Sequence, residues 1–396
     1  MRRPKTLSQL WMKASRAVAT GGLMDATRLI QRTLLNPVAG PDFSPLLRPL
    51  PVRTRRASSP TEAANAPATA NAGDALAADA PAEQETAIAP RPRKAAFGER
   101  VFNFNGERYP YRLYIPAPPM GSDVGIAKGG AAMPLIVLLH GCKQDAQDFA
   151  RGTAMNTLAA EQGCMVLYPE QISKSNPQMC WNWFEPGHQQ AGEGEPGMIA
   201  ALTQQVLAQD YNGQRADPAR VYIAGLSAGG AMAAVVAGLY PDIFAAMGVH
   251  SGLPSGAAQD LMSAFGAMRR GGNNAKDGPV TPPMPTIVFH GSADKTVHPD
   301  NGDHISDAAL AALKAAGLPL VKSRSTVANS AAEVSTEKTV YRVADGPSYV
   351  EHWRIEAGPH AWSGGDAAGS YTDPDGPSAS AAMLAFFLQH QLKAAN

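Results

Sequence analysis

The stretch from residue 221 to 230 places a serine where it could act as a nucleophile. It reads Val-Tyr-Ile-Ala-Gly-Leu-Ser-Ala-Gly-Gly, a short β-branched strand that runs directly into Gly-x-Ser-x-Gly. Gly225 and Gly229 lack a Cβ, so the strand and the following helix can approach closely around a sharp turn. Such a turn would hold the hydroxyl of Ser227 above the carboxyl edge of a sheet. The alternative is a tight glycine turn that carries an ordinary solvated serine.

A serine hydroxyl becomes a good nucleophile only when an imidazole accepts its proton and an acid orients that imidazole. In a strand–turn–helix setting of this kind, the acid and the histidine follow the serine along the chain. We predict that the acid is Asp294, because it lies in a Gly-Ser turn directly after the apolar run Ile-Val-Phe-His at 287–290. Asp300 and Asp303 are the alternatives nearby.

The predicted base is His360, which lies in the loop Gly-Pro-His-Ala-Trp at 358–362, just after a strand-like run. The remaining histidines suit the role less well. Some end strands or lie inside one, and others come before the acid in the chain or lie close to it in sequence. The rest lack a suitable context. The remaining histidines are His140, His188, His250, His290, His298, His304, His352 and His390.

Acyl transfer also needs backbone N–H groups that face the developing negative charge. One donor should be the N–H of Ala228, the residue after the nucleophile. The second is predicted at the turn Leu-Leu-His-Gly-Cys at 138–142, where a strand ends and Gly141 turns the chain. There the N–H of Cys142 or of a neighbour could face the site.

The elements that must hold these residues alternate between strands and helices. The predicted strands are short apolar or β-branched runs at 134–139, 164–168, 220–224, 245–250, 285–290 and 349–355, with an antiparallel edge strand at 107–115. The predicted helices lie at 146–162, 195–211, 228–240, 305–316 and 379–393. This alternation predicts an α/β fold, with a mostly parallel, doubly wound sheet and helices on both faces.

Composition excludes several classes of protein. The 396 residues carry 34 Lys and Arg against 34 Asp and Glu, a balance that argues against nucleic-acid binding. No apolar run reaches the roughly 18 residues of a transmembrane helix. The three cysteines are too few for a disulfide scaffold and do not match a zinc-ligand spacing. The acyl-transfer chemistry predicted above needs no metal and no organic cofactor.

Composition also divides the chain. Residues 1–35 are basic and carry apolar residues at helical spacing, which predicts an amphipathic helix that docks on a lipid-like or polymer surface, or one that packs on the rest of the protein. They make a poor secretory signal, although an unrecognised export signal stays open. Residues 36–96 are rich in Pro, Ala and Ser and predict a disordered linker before a catalytic domain at 97–396.

Five motifs in this order resemble those of poly(3-hydroxybutyrate) depolymerase family esterases. They are Leu-Leu-His-Gly-Cys-Lys-Gln at 138–144, Tyr-Pro-Glu-Gln at 168–171, Cys-Trp-Asn-Trp-Phe at 180–184, the serine motif at 220–230 and Gly-Pro-His-Ala-Trp at 358–362. The resemblance covers about residues 97–393 and is to the catalytic domain of short-chain polyhydroxyalkanoate depolymerases, a branch of the α/β-hydrolases.

The resemblance implies a serine esterase that acts on polyesters or short hydroxyacid esters. It assigns Ser227, Asp294 and His360 as the catalytic triad, and Cys142 and Ala228 as the oxyanion donors. By the same resemblance Trp181, Trp183 and Trp362 would line the cleft, with Trp183 and Trp362 as the preferred candidates. The alternative is that these tryptophans pack in the core. It also implies a disulfide between Cys142 and Cys180, with Cys164 a buried strand cysteine.

Three questions stay open at this point. The same family includes feruloyl and acetylxylan esterases, and a non-catalytic granule-associated protein is a further alternative. Because the chain shows no clear export signal, we favour a cytoplasmic protein associated with granules through residues 1–35, and an extracellular esterase is the alternative. A cytosolic protein would keep Cys142 and Cys180 reduced.

Overall fold

The computed structural model describes residues 94–117, 132–272, 282–328 and 335–393. The predictions for residues 1–35 and for almost all of the linker at 36–96 lie outside these ranges. Within the described residues, no helix has the length and apolar character that a membrane crossing requires.

Ten strands of the described chain form one sheet, in the order β1-β2-β4-β3-β5-β6-β7-β10-β9-β8. In chain order, β1 to β10 are Ala96–Phe104, Glu107–Ile115, Met133–Leu139, Met165–Pro169, Ala216–Leu226, Ala246–His250, Thr286–Gly291, Leu320–Ala328, Ser335–Val343 and Ser348–Ile355. The middle of the sheet, from β4 through β3, β5, β6 and β7 to β10, is parallel. The pairs at both edges are antiparallel. The mostly parallel α/β sheet is therefore confirmed.

Helices cover both faces of this sheet. In chain order, the helices of the described residues, α1 to α7, are Ala146–Thr153, Met155–Gln162, Gly194–Ala208, Ala228–Leu239, Leu261–Arg270, Asp300–Ala315 and Ala379–Phe387. Strand β3 shows why both faces are needed, because its side chains alternate between two apolar cores. Leu135 and Val137 pack with Met198 of α3, whereas Ile136 packs with Phe387 of α7 on the opposite face.

Three parts of the architecture differ from the sequence predictions. Strand β2 is not an edge strand, because β1 pairs along its outer side. The helix predicted at 146–162 is two helices, since Ala154 takes a left-handed conformation with φ 51° between them. Strand β1, the antiparallel pair β8–β9 and helix α5 have no counterpart among the predicted elements.

We expect the free energy of unfolding to decrease in mildly acidic solution, because buried histidines stay neutral in the folded protein. Burial lowers the pKa of His352 to about 3 and that of His390 to about 4. The pKa of a histidine in the unfolded chain is about 6.5, so below that pH the unfolded chain binds protons that the folded chain does not. Each such histidine therefore removes about 1.4 kcal/mol of stability per pH unit below about 6.5, an effect that urea unfolding at several pH values measures.

The variant His390→Gln isolates one of these groups. The side chain of His390 bonds the carbonyl oxygen of Ser348 through Nε2 at 2.8 Å, and a glutamine amide can donate to the same oxygen without titrating. The pH slope of stability should therefore be shallower in this variant by about 1.4 kcal/mol per pH unit. A wild-type stability that does not change across this range would contradict the prediction.

Candidate active site

Ser227 lies at the turn between β5 and α4 in a strained backbone conformation. Its φ of 57° and ψ of −120° lie outside the regions that non-glycine residues normally adopt, at an expected cost of about 1–3 kcal/mol. Two main-chain hydrogen bonds hold it there: its N–H donates to the carbonyl of His250, and its own carbonyl accepts from Ala231, both at 2.9 Å. The side chain is thereby fixed at the tip of the turn, and the residue is 8% exposed.

Two glycines make this turn possible because the backbones around it are in direct contact. A Cβ on Gly225 would lie 2.3 Å from the carbonyl oxygen of Gly229, and a Cβ on Gly229 would lie 2.2 Å from that of Leu139. Real Cβ atoms do not come this close to other atoms, so any side chain at either position would push the turn apart. The contact also brings the start of α4 against the end of β3, where the turn that contains Cys142 begins.

The parallel register brings the loops that carry the three predicted catalytic residues to one edge of the sheet. Strands β5, β6, β7 and β10 are consecutive neighbours, and their carboxyl ends are level, as three pairs show: Leu226 with His250, His250 with Phe289, and Gly291 with Ile355. Ser227 directly follows β5, Asp294 follows β7 after two residues, and His360 follows β10 after four.

Asp294 and His360 form a short hydrogen bond at this edge, with 2.7 Å between Oδ2 of the acid and Nδ1 of the imidazole. The other carboxylate oxygen accepts from the backbone N–H groups of Thr296 and Val297, each at 2.8 Å. The side chain of Asp294 is fully buried. The acid is therefore fixed by its own loop and presents one oxygen to the histidine.

The electrostatics of this pair determine which nitrogen of His360 carries the proton. Burial alone would raise the pKa of Asp294, but hydrogen bonds from His290 and His360, the nearby charge of His360 and the N–H of Val297 together hold it well below its usual range. An ionised carboxylate only accepts hydrogen bonds, so Nδ1 of His360 must be the donor. In the neutral ring this leaves Nε2 as a free acceptor, the tautomer that a general base requires.

The structure does not join Ser227 to His360 directly. Among the hydrogen bonds of the described residues, none connects the hydroxyl of Ser227 with the imidazole of His360. Catalytic hydrogen bonds are often long without substrate and shorten when it binds. The alternative acids lie elsewhere: Asp303 pairs with Arg354 at 2.9 Å, and Asp300 is near His298 at 3.5 Å.

A buried histidine that the sequence analysis set aside connects the serine turn to the His360 loop. Burial, and to a smaller degree nearby His290 and His360, lower the pKa of His250 to about 3, so the ring is neutral. Its Nε2 accepts from the N–H of Ser363 at 3.0 Å, so its proton is on Nδ1, 3.1 Å from the hydroxyl of Ser251. Its position at the end of a buried strand between β5 and β7 is the sequence signal for this role.

The turn after β3 leaves one backbone donor unused. The N–H of Gly141 donates to the side-chain oxygen of Gln144 at 2.9 Å, and the N–H of Lys143 donates to the carbonyl of Gln178 at 2.8 Å. Neither the N–H of Cys142 nor that of Ala228 donates a hydrogen bond within the described part of the chain. Since the two turns are in contact through Gly229, both N–H groups are available at the same end of the sheet.

Cys142 is tied to a second loop. A disulfide joins it to Cys180, with 2.01 Å between the sulfur atoms. Next to this link, Trp181 is buried and donates its indole N–H to the carbonyl of His140 at 3.1 Å. The third cysteine, Cys164, is free and buried, and burial raises the pKa of its thiol to about 11.

Comparison with known proteins identifies the family. Residues 111–323 match the family model described as esterase PHB depolymerase, which is more than half of the chain. The chain belongs to this family. The matched region contains Ser227 and Asp294, and His360 lies beyond its end.

Individual relatives agree with this family assignment. The chain is 37% identical over 186 residues to poly(3-hydroxyalkanoate) depolymerase C of Paucimonas lemoignei. The match covers 43% of this chain and 43% of the relative. It is 34% identical over 131 residues to feruloyl esterase B of Thermothelomyces thermophilus, covering 33% of this chain and 43% of the relative. The chain thus spans less than half the length of these two relatives.

A solved structure supports the fold. The acetyl xylan esterase from Aspergillus awamori superposes with a TM-score of 0.50 at 18% identity, over 67% of this chain and 94% of that one. At this identity the likeness concerns the fold alone, and it agrees with the α/β-hydrolase architecture expected for a member of the esterase PHB depolymerase family.

The two tryptophans that the resemblance assigns to the cleft of this family member are buried. Trp362 is 1% exposed, packs on His250 and Phe149 and donates its indole N–H to Ser380 at 3.0 Å. Trp183 is 4% exposed and packs in the core. Both rings are almost fully enclosed, and their role in lining the cleft stays a prediction. Both were placed by motif alone, and motif does not reveal which way a ring points.

The described residues contain no group of three or more His, Cys, Asp or Glu side chains that could hold a metal ion.

The close contact at the serine turn yields a prediction for Gly229→Ala. The new Cβ would overlap the carbonyl of Leu139, so we expect a loss of about 1–3 kcal/mol or more of stability from overpacking. Thermal or urea unfolding measures it.

Gly238→Ala is the matched control, since it lies on the same helix and its Cβ would meet its nearest neighbour, Pro282, at 4.0 Å. Removing a helical glycine in open space should stabilise the protein by about 0.5–1 kcal/mol. Equal effects of the two substitutions would show that the contact at Gly229 is not tight.

Proposed function

We propose that this protein is a serine esterase that hydrolyses the ester bonds of polyhydroxyalkanoates or of short hydroxyacid esters. The observation that carries the proposal is the 2.7 Å hydrogen bond between Asp294 and His360, at the sheet edge where the strained turn presents Ser227. Acyl transfer requires a serine hydroxyl and an imidazole that an acid orients, and both are present at this edge.

In this proposal the hydroxyl oxygen of Ser227 attacks the ester carbonyl while Nε2 of His360 accepts its proton. Asp294 stays ionised and stabilises the imidazolium that forms. The carbonyl oxygen becomes negative in the tetrahedral intermediate, where the N–H groups of Cys142 and Ala228 donate to it. His360 then returns the proton to the departing alcohol, and water releases the acyl group from Ser227 by the same steps in reverse order.

The substrate class rests on the relatives. The greater identity to a protein named as a polyhydroxyalkanoate depolymerase favours a polyester or its short oligomers. Similarity to a feruloyl esterase supports a plant-wall acyl ester as the second candidate. A non-catalytic granule-associated protein is the remaining alternative, and it would leave the Asp294–His360 pair without a use.

The disulfide bears on where the protein works. Disulfides such as Cys142–Cys180 persist in oxidising compartments and are rare in the cytosol. It therefore favours the extracellular alternative over the cytoplasmic one, and the fraction of free thiol in protein isolated from its native cells tests this directly.

Changing His360 to glutamine should abolish esterase activity without unfolding the protein. The variant lacks the proton acceptor, and loss of a triad residue lowers kcat by roughly 10⁴–10⁶-fold. Hydrolysis of a p-nitrophenyl ester measures the rate, and thermal unfolding reports the folded state.

His298→Gln is the matched control for this experiment. His298 follows Asp294 by four residues, but its side chain is 42% exposed and its Nδ1 lies 3.5 Å from Asp300. Activity of this variant should remain within about twofold of wild type, as expected for a surface position. Loss of activity in both variants, or in neither, would contradict the proposed role of His360.

A substrate panel separates the candidate activities. The purified protein should release 3-hydroxybutyrate from amorphous poly(3-hydroxybutyrate) faster than it releases ferulate or acetate from feruloyl and acetylated xylan esters. The reverse order would establish the plant-wall esterase, and absence of hydrolysis on every ester would support the non-catalytic alternative.

A further inference from the structure

Glu195 is a buried carboxylate that the proposed mechanism does not use. It is the second residue of α3, and 1% of its surface is exposed. Burying a charged or polar side chain is unfavourable unless its hydrogen bonds are satisfied. A carboxylate so completely enclosed is therefore expected to have specific partners.

Its partners come from two of the motifs at 168–171 and 180–184. One oxygen of Glu195 accepts from the side-chain amides of Gln171 at 2.5 Å and Asn182 at 2.7 Å. The other accepts from the backbone N–H of Asn182 at 2.7 Å. Three donors from two separate segments thus converge on one side chain.

A fourth neighbour covers the carboxylate from the outside. Nδ1 of His188 lies 3.3 Å from a carboxylate oxygen of Glu195 and 3.3 Å from its backbone N–H, and the side chain of His188 is 18% exposed. Burial alone would lower the pKa of His188, but the hydrogen bond and the charge of Glu195 outweigh it and raise the pKa above its ordinary value. The first turn of α3 adds its positive dipole end, which favours a carboxylate there.

The segments held by Glu195 in turn hold the turn that carries Cys142. The side-chain amide of Gln171 also donates to the carbonyl of Cys180 at 2.9 Å, and Cys180 is bonded to Cys142. The backbone N–H of Gln171 donates to Nε2 of His140 at 3.1 Å. The residues on both sides of Gly141 are therefore bonded to the segments that Glu195 holds.

We propose that Glu195 is a positioning residue for the oxyanion-binding turn. By fixing Gln171 and Asn182, it sets the position of the N–H of Cys142 relative to that of Ala228. This inference rests on the proposed function, because it assumes that these two N–H groups stabilise the transition state. Glu195 itself does not touch the substrate.

The test is Glu195→Gln, which keeps the size of the side chain but places an NH₂ group against existing donors. The structure around Cys142 should loosen, and a displacement of about 1 Å near the reacting atoms costs up to about 100-fold in rate. We expect kcat for a p-nitrophenyl ester to fall by about 10–100-fold with KM within about twofold, as for an interaction made only in the transition state.

A second readout separates positioning from a general loss of structure. An aryl trifluoromethyl ketone forms a hemiketal with Ser227, and its negative oxygen occupies the position of the oxyanion. Its affinity should weaken by the same factor as kcat/KM in Glu195→Gln. Thermal unfolding, measured alongside, shows how much of the variant is folded at the assay temperature.

Glu193→Gln is the matched control, since Glu193 is exposed, lies two residues away and makes no side-chain capping bond to α3. It should retain wild-type kinetics. If Glu195→Gln does not fold, Asn182→Ser tests the inference instead. This variant removes one side-chain donor from the carboxylate and leaves the carboxylate itself in place. It should show the same pattern with a smaller loss.

The outcomes separate the two proposals. A wild-type protein that hydrolyses no ester overturns the proposed function and this inference with it. An active wild type, with a folded Glu195→Gln or Asn182→Ser whose ketone affinity stays within twofold of wild type, overturns the inference alone. A loss confined to KM also overturns it.

Discussion

The backbone contact between Gly229 and the end of β3 is the constraint on which the rest of the site depends. It leaves no room for a side chain, so the strand, the helix and the turn toward Cys142 meet without anything between them. As a result, Ser227 lies in a strained conformation that surrounding hydrogen bonds maintain. The proposed nucleophile and the candidate oxyanion donors are therefore positioned by contacts between backbones.

Around this contact, buried polar residues carry the alignment from loop to loop. His250 connects the main chain of Ser227 with the segment after His360, and Glu195 connects the segments that dock the turn of Cys142. Each group is enclosed, and each has its hydrogen-bonding atoms satisfied by specific partners. Removing one partner leaves another buried group without its hydrogen bond, which is unfavourable. These hydrogen bonds therefore hold the loops in fixed positions.

Local patterns in the sequence are sufficient for much of this account. Strand–helix alternation predicts the parallel sheet, and the motifs around Ser227, Asp294 and His360 place them after strands whose ends share one edge. Local pattern does not show which way a side chain points or which distant residues it contacts. Trp362 looks like a cleft residue and is almost fully enclosed, and Glu195 looks like an ordinary helix start although its partners lie 13 and 24 positions away. The pair β8–β9 escapes prediction because both strands are rich in polar and charged residues and lack the apolar runs of the central strands.

The central claim is that Ser227 is a nucleophile activated by His360. Reaction with a fluorophosphonate tests it most directly, since attack by an activated serine forms an O–P bond and expels fluoride. After tryptic digestion, fragmentation of the labelled peptide in the mass spectrometer should place one phosphonyl group per chain on Ser227. Modification of a different residue, or an unmodified Ser227 in fully folded protein, would contradict it.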